Sequence, residues 1–293
     1  LVAKHHDGFC LWPSALNREY STAALKGKLR NVDVVGAVKQ ACRVEGLDFG
    51  VYLSPWDRRQ ANYGTEAYVA YFHAQWAEVF AQYGPVSEIW LDGANGGDGY
   101  YGGACERRSI PEGYYCKPRL LEALVKHNPR AVAFGGNGAN SVAWCGNEDG
   151  ESPEDWRYEM TGEDGKPYFM PPEADTPLRK GWFFHPGERP KSLRRMVDTY
   201  FNTVGRGAVL NWGIAPDRRG LVCDDDVSRL REFGDYVRAY ESVNLADGAA
   251  VSSRTDGRIT VHDVRFTDVQ TFNSVDFAED LSHGQLAVGW KVE

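Results

Sequence analysis

The chain has 293 residues, 42% hydrophobic and 25% charged, with a formal net charge of −8. That length holds one large domain, alone or with a small second one, and the apolar content is that of a globular protein. The acidic balance and the lack of any Lys/Arg run argue against a nucleic-acid partner, and no window nears the ~18 apolar residues of a membrane span.

Nine Trp and fifteen Tyr are a generous aromatic supply. Rings that stack on a pyranose would use it, and so would a large core; composition leaves both open. Six cysteines (Cys10, Cys42, Cys105, Cys116, Cys145, Cys223) show no metal-like CxxC spacing. Cys105 and Cys116 flank a loop and are candidates to pair; six free thiols are the alternative. The compartment is therefore open, with extracellular, periplasmic and lysosome-like settings all compatible.

LVAKH, at the start, reads as a buried strand, and the chain enters it without a Met or lead-in. More chain is therefore expected upstream of Leu1. Residues 31–45 read as a helix, with Asn31 as N-cap, Val35, Val38 and Cys42 as its apolar stripe and Gly46 just past its end. A strand follows over 47–54. Val69, Phe72, Trp76, Val79 and Tyr83 repeat at three and four, which predicts a helix over 65–83 stopped by Gly84-Pro85. VSEIWLDG, 86–93, reads as a strand and 94–115 as a Gly/Tyr-rich loop.

Residues 118–128 read as a helix and 131–136 as a strand. The polar, proline-bearing stretch 149–180 is too long for a plain connector and reads as a functional loop. GWFF, 181–184, reads as a short strand. A helix over 190–204 carries Leu193, Val197, Tyr200 and Val204 on one face; a strand over 207–213 and a helix over 225–240 follow. After about residue 244 the helical period disappears. Short alternating runs broken by Asp-Gly and His-Gly read as the start of a β-sandwich.

About six βα units with buried strands point to an α/β fold with a parallel sheet. Polar residues collect just after the strands: His5-His6-Asp7, Ser54 to Asp57, Asp92 and Asn211. A TIM-like (β/α)8 barrel keeps its chemistry at that end. The expected organisation is an N-terminally incomplete barrel over 1–243, its first strands lying before Leu1, and an incomplete C-terminal β-sandwich over 244–293.

KHHDGF, GVYLSPWD, EIWLDGANG, GNEDG, GWFFHPGE and LNWGIAPDRRG, in this order, resemble the family 29 glycoside hydrolases, the α-L-fucosidases. The SPWDR, DGANG and APDRRG segments look most like the branch that prefers α-1,3- and α-1,4-linked fucose. The resemblance runs from Leu1 to about Tyr240 and implies a retaining exo-α-L-fucosidase acting on fucosylated glycans, with an α-1,2 or broad-specificity fucosidase, a transfucosidase and a non-catalytic fucose-binding protein as the alternatives. It implies no metal and no organic cofactor.

A retaining glycosidase needs two carboxyls about 5 Å apart, one as nucleophile and one as acid/base. Asp92 ends the apolar strand EIWL, and Gly93 leaves room for a close substrate. A capping Asp is the bland alternative, but the family places its nucleophile at this Trp-x-Asp-Gly segment, Trp90 to Gly93. The resembling branch carries its acid/base on W-x-G-N-E-x-G, which Trp144 to Gly150 matches, so Glu148 takes that role and Glu173 is the runner-up.

By the same resemblance His5 and His6 bond fucose hydroxyls, a task suited to an imidazole with one donor and one acceptor. Metal ligation is the competing reading, though such pairs are usually His-x-His. Tyr52, Trp56, Asp57 and Trp90 are expected to line the pocket, and Trp182 and His185 to touch fucose or the aglycone. Asn211 and Arg219 brace the last strand. Asp98 and Glu112 are placed to meet a branching galactose.

Overall fold

The computed structural model describes residues 1–162, 165–287, 289, 291 and 292. Glu163 and Asp164 of the long polar stretch, and Val288, Trp290 and Glu293 of the tail, lie outside the described residues. Two compact units form: Leu1–Cys145 with Trp156–Glu173, and Gly146–Asp155 with Ala174–Glu293.

The first unit is built on short parallel strands. β1 (Val2–Lys4), β2 (Gly50–Leu53) and β3 (Glu88–Trp90) pair in that order. A small antiparallel hairpin, β4 (Gly97–Gly99) and β5 (Glu106–Arg108), stands in the stretch read as plain loop. The parallel order continues with β6 (Val132–Phe134) and β7 (Ser141–Trp144). β7 was not foreseen. It follows β6 after only residues 135–140, a return that glycine permits. Gly135 has φ +69°, and a Cβ there would lie 2.5 Å from the Leu91 carbonyl oxygen.

β8 (Glu159–Thr161) and β9 (Pro167–Phe169) form a second hairpin inside the long polar stretch. β10 (Pro172–Pro177) begins in this unit, where Pro172 and Glu173 pair with β7.

Three helices cover these strands. α1 (Val34–Val44) starts later than expected. Its N-cap is Asp33, whose carboxylate accepts from the Gly36 N–H, while Asn31 sits in the left-handed region at φ +58°. Gly46 takes φ +69° past the end, as the sequence suggests. α2 (Glu66–Tyr83) buries all five residues of its predicted stripe, with Trp76 and Val79 fully buried. α3 (Lys117–His127) buries Leu120, Leu121 and Leu124. Trp12, Leu53, Phe72, Trp76 and Ile89 belong to one continuous core.

In the second unit, Leu178 donates to the Gly213 carbonyl of β11 (Val209–Gly213). GWFF is not a strand: Trp182 and Phe183 are 37% and 59% exposed, and the buried strand here is the polar-looking β10. α4 (Leu193–Thr203) buries Met196, Thr199 and Thr203, not the face read from the sequence; Val204 is exposed. The 146–150 loop comes close to this face because Gly150 has no Cβ, which would lie 2.7 Å from Thr199 Cγ2.

α5 (Asp224–Glu241) follows, with Asp224, Asp225 and Asp226 in its first turn, where the helix dipole favours them. Arg179 binds the buried Asp226 carboxylate at 3.0 Å. Among the described tail residues the strands are β12 (Ala250–Asp256) and β13 (Ile259–Arg265), one antiparallel hairpin with exposed faces; a sandwich is not seen there. No helix among the described residues is long and apolar enough to cross a membrane.

Candidate active site

Side chains alternate along a strand, so Glu88, Trp90 and Asp92 share a face. Asp92 stands just past β3, 23% exposed. Its Oδ2 accepts from the Tyr52 hydroxyl at 2.6 Å and its Oδ1 from the Ala94 N–H at 2.7 Å. Both oxygens are therefore aimed before any ligand arrives.

The turn after β1 brings the histidines to the same place. His6 Nε2 lies 3.8 Å from Asp92 Oδ2, and the His5 and His6 ring centroids are 3.9 Å apart. Ser54 is the partner of His6 Nδ1. Its hydroxyl donates its one proton to the Trp56 carbonyl at 2.8 Å and sits 2.7 Å from His6 Nδ1. With the Ser54 proton on that carbonyl, Nδ1 donates to Ser54, and in this tautomer the Nε2 lone pair faces Asp92. Burial pushes His6 down to about 4, helped by the neighbouring His5, Arg58 and Lys4 against the pull of Asp92. Burial also lowers His5, opposed by Asp92 and Asp7. One ligand atom from each of His5, His6 and Asp92 can be chosen so that all three lie within 4.8 Å of one another, close enough to suit a metal ion.

An aromatic wall surrounds this group. Tyr52 packs beside Trp90 at 5.5 Å between centroids, and Trp90 stacks on Phe134 at 3.9 Å. Trp56 lies 5.0 Å from the His6 ring, donates to the Tyr101 hydroxyl at 2.9 Å, and carries the Arg58 guanidinium 5.3 Å over its ring. The structure thus brings together His5, His6, Tyr52, Trp56, Trp90 and Asp92.

Asp57 is not brought to this surface. It is fully buried, 3.5 Å from the equally buried Lys4 Nζ, and it accepts from the Arg59 and Gln60 N–H groups. It also closes the turn under the histidines: a Cβ on Gly8, at φ +81°, would meet Asp57 Oδ1 at 2.5 Å. Lys4 donates to Gln75 of α2 at 2.9 Å. Sequence reasoning passed over Lys4, although a lysine in the apolar run LVAKH is a visible signal.

Two more carboxyls lie close to Trp90: Glu173, the runner-up acid/base, and Glu88, which sequence reasoning passed over. Glu173 is 2% exposed and accepts from the Trp90 indole N–H at 2.9 Å. Glu88 is pushed up to about 8 by burial and by its neighbour Glu173, against the Leu1 amino group. The i, i+2, i+4 pattern of Glu88, Trp90 and Asp92 would have flagged it.

In the second unit Glu148 is exposed, and its Oε2 accepts from the Trp182 indole N–H at 3.2 Å. Asn147 shapes the loop that presents it. Its side-chain oxygen accepts from the Asp149 and Glu151 N–H groups, and its amide donates to the Glu151 carbonyl. The Trp182 ring lies against Gly213 of β11, where a Cβ would come within 2.5 Å of it. His185 is exposed. Asn211 lies in β11, and Arg219 pairs with Asp217 at 2.7 Å in the turn after it. All six cysteines are free thiols.

The family model described as Alpha-L-fucosidase matches residues 1–242. The chain is 36% identical to a protein of Oryza sativa subsp. japonica named Putative alpha-L-fucosidase 1, over 87% of this chain and 50% of that protein. It is 33% identical to Alpha-L-fucosidase 1 of Arabidopsis thaliana, over 86% of this chain and 51% of that one. The chain thus spans about half the length of the curated relatives it matches.

Among solved structures, a glycoside hydrolase 29 family member from an unknown rumen bacterium superposes with a TM-score of 0.80 at 38% identity, covering 89% of this chain and 50% of that one. A Ruminococcus gnavus GH29 fucosidase in complex with fucose gives 0.73 at 28% identity, covering 86% and 57%. Parallel strands with covering helices are consistent with a TIM-like α/β domain. On the extent of the family match and the identity to these relatives, this chain belongs to the alpha-L-fucosidase family, glycoside hydrolase family 29.

Proposed function

We propose that the protein to which this chain belongs is a retaining exo-α-L-fucosidase that removes terminal α-1,3- or α-1,4-linked L-fucose from glycans. One observation carries the reading. In a chain of this family, a carboxylate at a strand end is aimed by Tyr52 and Ala94 and flanked by two histidines and an aromatic wall. Asp92 attacks the anomeric carbon, the glycosidic bond breaks, and Glu148 gives its proton to the leaving oxygen. Glu148 then takes a proton from water, which opens the fucosyl ester. The His6 Nε2 lone pair accepts from a fucose hydroxyl, and Trp90 and Tyr52 meet the apolar methyl at C5. Trp56, Trp182 and His185 extend the subsite, with Asp98 and Glu112 toward a branching galactose. The scaffold in this reading is a complete (β/α)8 barrel followed by a C-terminal β-sandwich.

The test is hydrolysis of an aryl α-L-fucoside followed by NMR of the sugar first released. Double displacement yields the α-anomer, and the β-anomer would overturn the mechanism. A Lewis-type trisaccharide should show kcat/KM about tenfold above that of an α-1,2-fucosyl disaccharide, equal to ~1.4 kcal/mol. Equal values would overturn the linkage while leaving the activity. Fucose binding without turnover of any fucoside would make the protein a lectin.

A further inference from the structure

We propose that His5, His6 and Asp92 form a binding site for a divalent transition cation of the zinc class, which caps the Asp92 carboxylate. The binding claim stands on geometry alone. Its consequence, inhibition, rests on the reading of Asp92 as nucleophile.

The donor set is two imidazole nitrogens and one carboxylate oxygen, the borderline set that zinc takes and that magnesium and calcium do not favour. His6 Nε2 stands 3.8 Å from Asp92 Oδ2, and the three ligand atoms lie within 4.8 Å of one another. Ligands on a tetrahedral zinc at 2.0–2.1 Å are roughly 3.3 Å apart. Closure therefore asks the ligand atoms to approach one another by up to about 1.5 Å.

Metal sites hold their ligands with a surrounding set of hydrogen bonds that fixes each tautomer and orientation. Here that set already exists. Ser54 Oγ lies 2.7 Å from His6 Nδ1 and 2.8 Å from the Trp56 carbonyl, so when Ser54 donates to that carbonyl and accepts from Nδ1, Nε2 presents a lone pair. Tyr52 holds Asp92 Oδ2 from the other side at 2.6 Å. In that tautomer a lone pair and a carboxylate oxygen face each other across 3.8 Å. A fucose hydroxyl relieves this, and a dication relieves it too, so the two compete. His6 and Asp92 are 20% and 23% exposed, which leaves a route in and room for a water as fourth ligand.

The test titrates the full chain, freed of metal with a chelator, with zinc chloride in a calorimeter. One zinc per chain is expected, with no heat from magnesium chloride. His6→Ala and Asp92→Asn should each abolish the zinc signal. Ser54→Ala should weaken it about 10- to 100-fold by releasing the tautomer, while leaving all three ligands in place. Circular dichroism of each variant, matched to the parent, checks the fold. No zinc binding would overturn the proposal. So would binding indifferent to His6→Ala and Ser54→Ala, which would put the metal on the free thiols. Where the chain turns over an aryl fucoside, zinc should raise KM and leave kcat unchanged; a fall in kcat at constant KM would overturn the competition. Turnover without zinc binding sinks only this inference, and zinc binding without turnover sinks only the fucosidase reading.

Discussion

Asp92 and Glu148 are assigned to one reaction, and the chain surrounds them very differently. Asp92 has both oxygens hydrogen-bonded and is less than a quarter exposed. Glu148 is exposed, on a loop shaped by Asn147, with a 3.2 Å bond from Trp182. A nucleophile acts on one atom from one direction, so a fixed carboxylate lowers the cost of reaching the transition state. An acid/base must give a proton to one oxygen and later take one from another, and a carboxyl with freedom to turn does both. In the proposed reaction the fixed carboxylate is the nucleophile and the freer one the acid/base.

The largest expected effect comes from removing the fixed member. Asp92→Gly should lower kcat on an aryl α-L-fucoside by three or more orders of magnitude on the ~10³-fold scale of lost covalent catalysis, with partial rescue by azide in the vacated space. Glu148→Ala should barely slow the first step on that substrate, whose leaving group needs no proton, yet slow an unactivated trisaccharide about 10²- to 10⁴-fold. Equal losses on both substrates would break the comparison and move the acid/base role off Glu148.

A second effect tests the scaffolds beneath the two carboxylates. Lys4→Met strands the buried Asp57 under the histidine turn and should cost about 3–5 kcal/mol in thermal or urea unfolding. Asn147→Ala, which removes the acceptor for two loop amides, should cost only ~1 kcal/mol. If the two losses are alike, the Asp92 side is not the more firmly built.

The smallest effect is a pH dependence on the Asp92 side. A carboxyl at about 8 when folded, against 4.5 free, holds its proton more tightly in the folded state. Stability then falls as pH rises from the free value to the folded one and levels off above it. Between pH 7 and 8 Glu88 should account for about 1 kcal/mol of loss. Unfolding of Glu88→Gln across this range should lack that slope, and an unchanged slope would assign it to another group.

Much of this architecture was legible in the sequence, and the failures have physical causes. α2 was read correctly because five apolar residues keep the helical period and all are buried. β10 was missed because PEADTP begins and ends in proline and carries Glu173, Asp175 and Thr176, which are buried. GWFF misled for the opposite reason, being apolar but exposed. At the site, His5, His6 and Asp92 stood out by residue type. Lys4 and Glu88 did not, and the contacts of Ser54 and Glu173 could not be read, because these depend on which strands become neighbours, a long-range fact that local periodicity does not carry.

Trp90 carries a consequence for how the protein can be observed. Its indole N–H is tied to Glu173, its ring lies flat on Phe134, and its neighbour Tyr52 holds Asp92. Indole emission responds to local polarity and to water. Trp12 and Trp76, fully buried in the core, supply a steady background. Trp90, with Trp56 on the same wall, therefore makes the pocket self-reporting: when a sugar face or a cation displaces water beside Asp92, the emission of these rings shifts, and occupancy can be followed by light with no label attached.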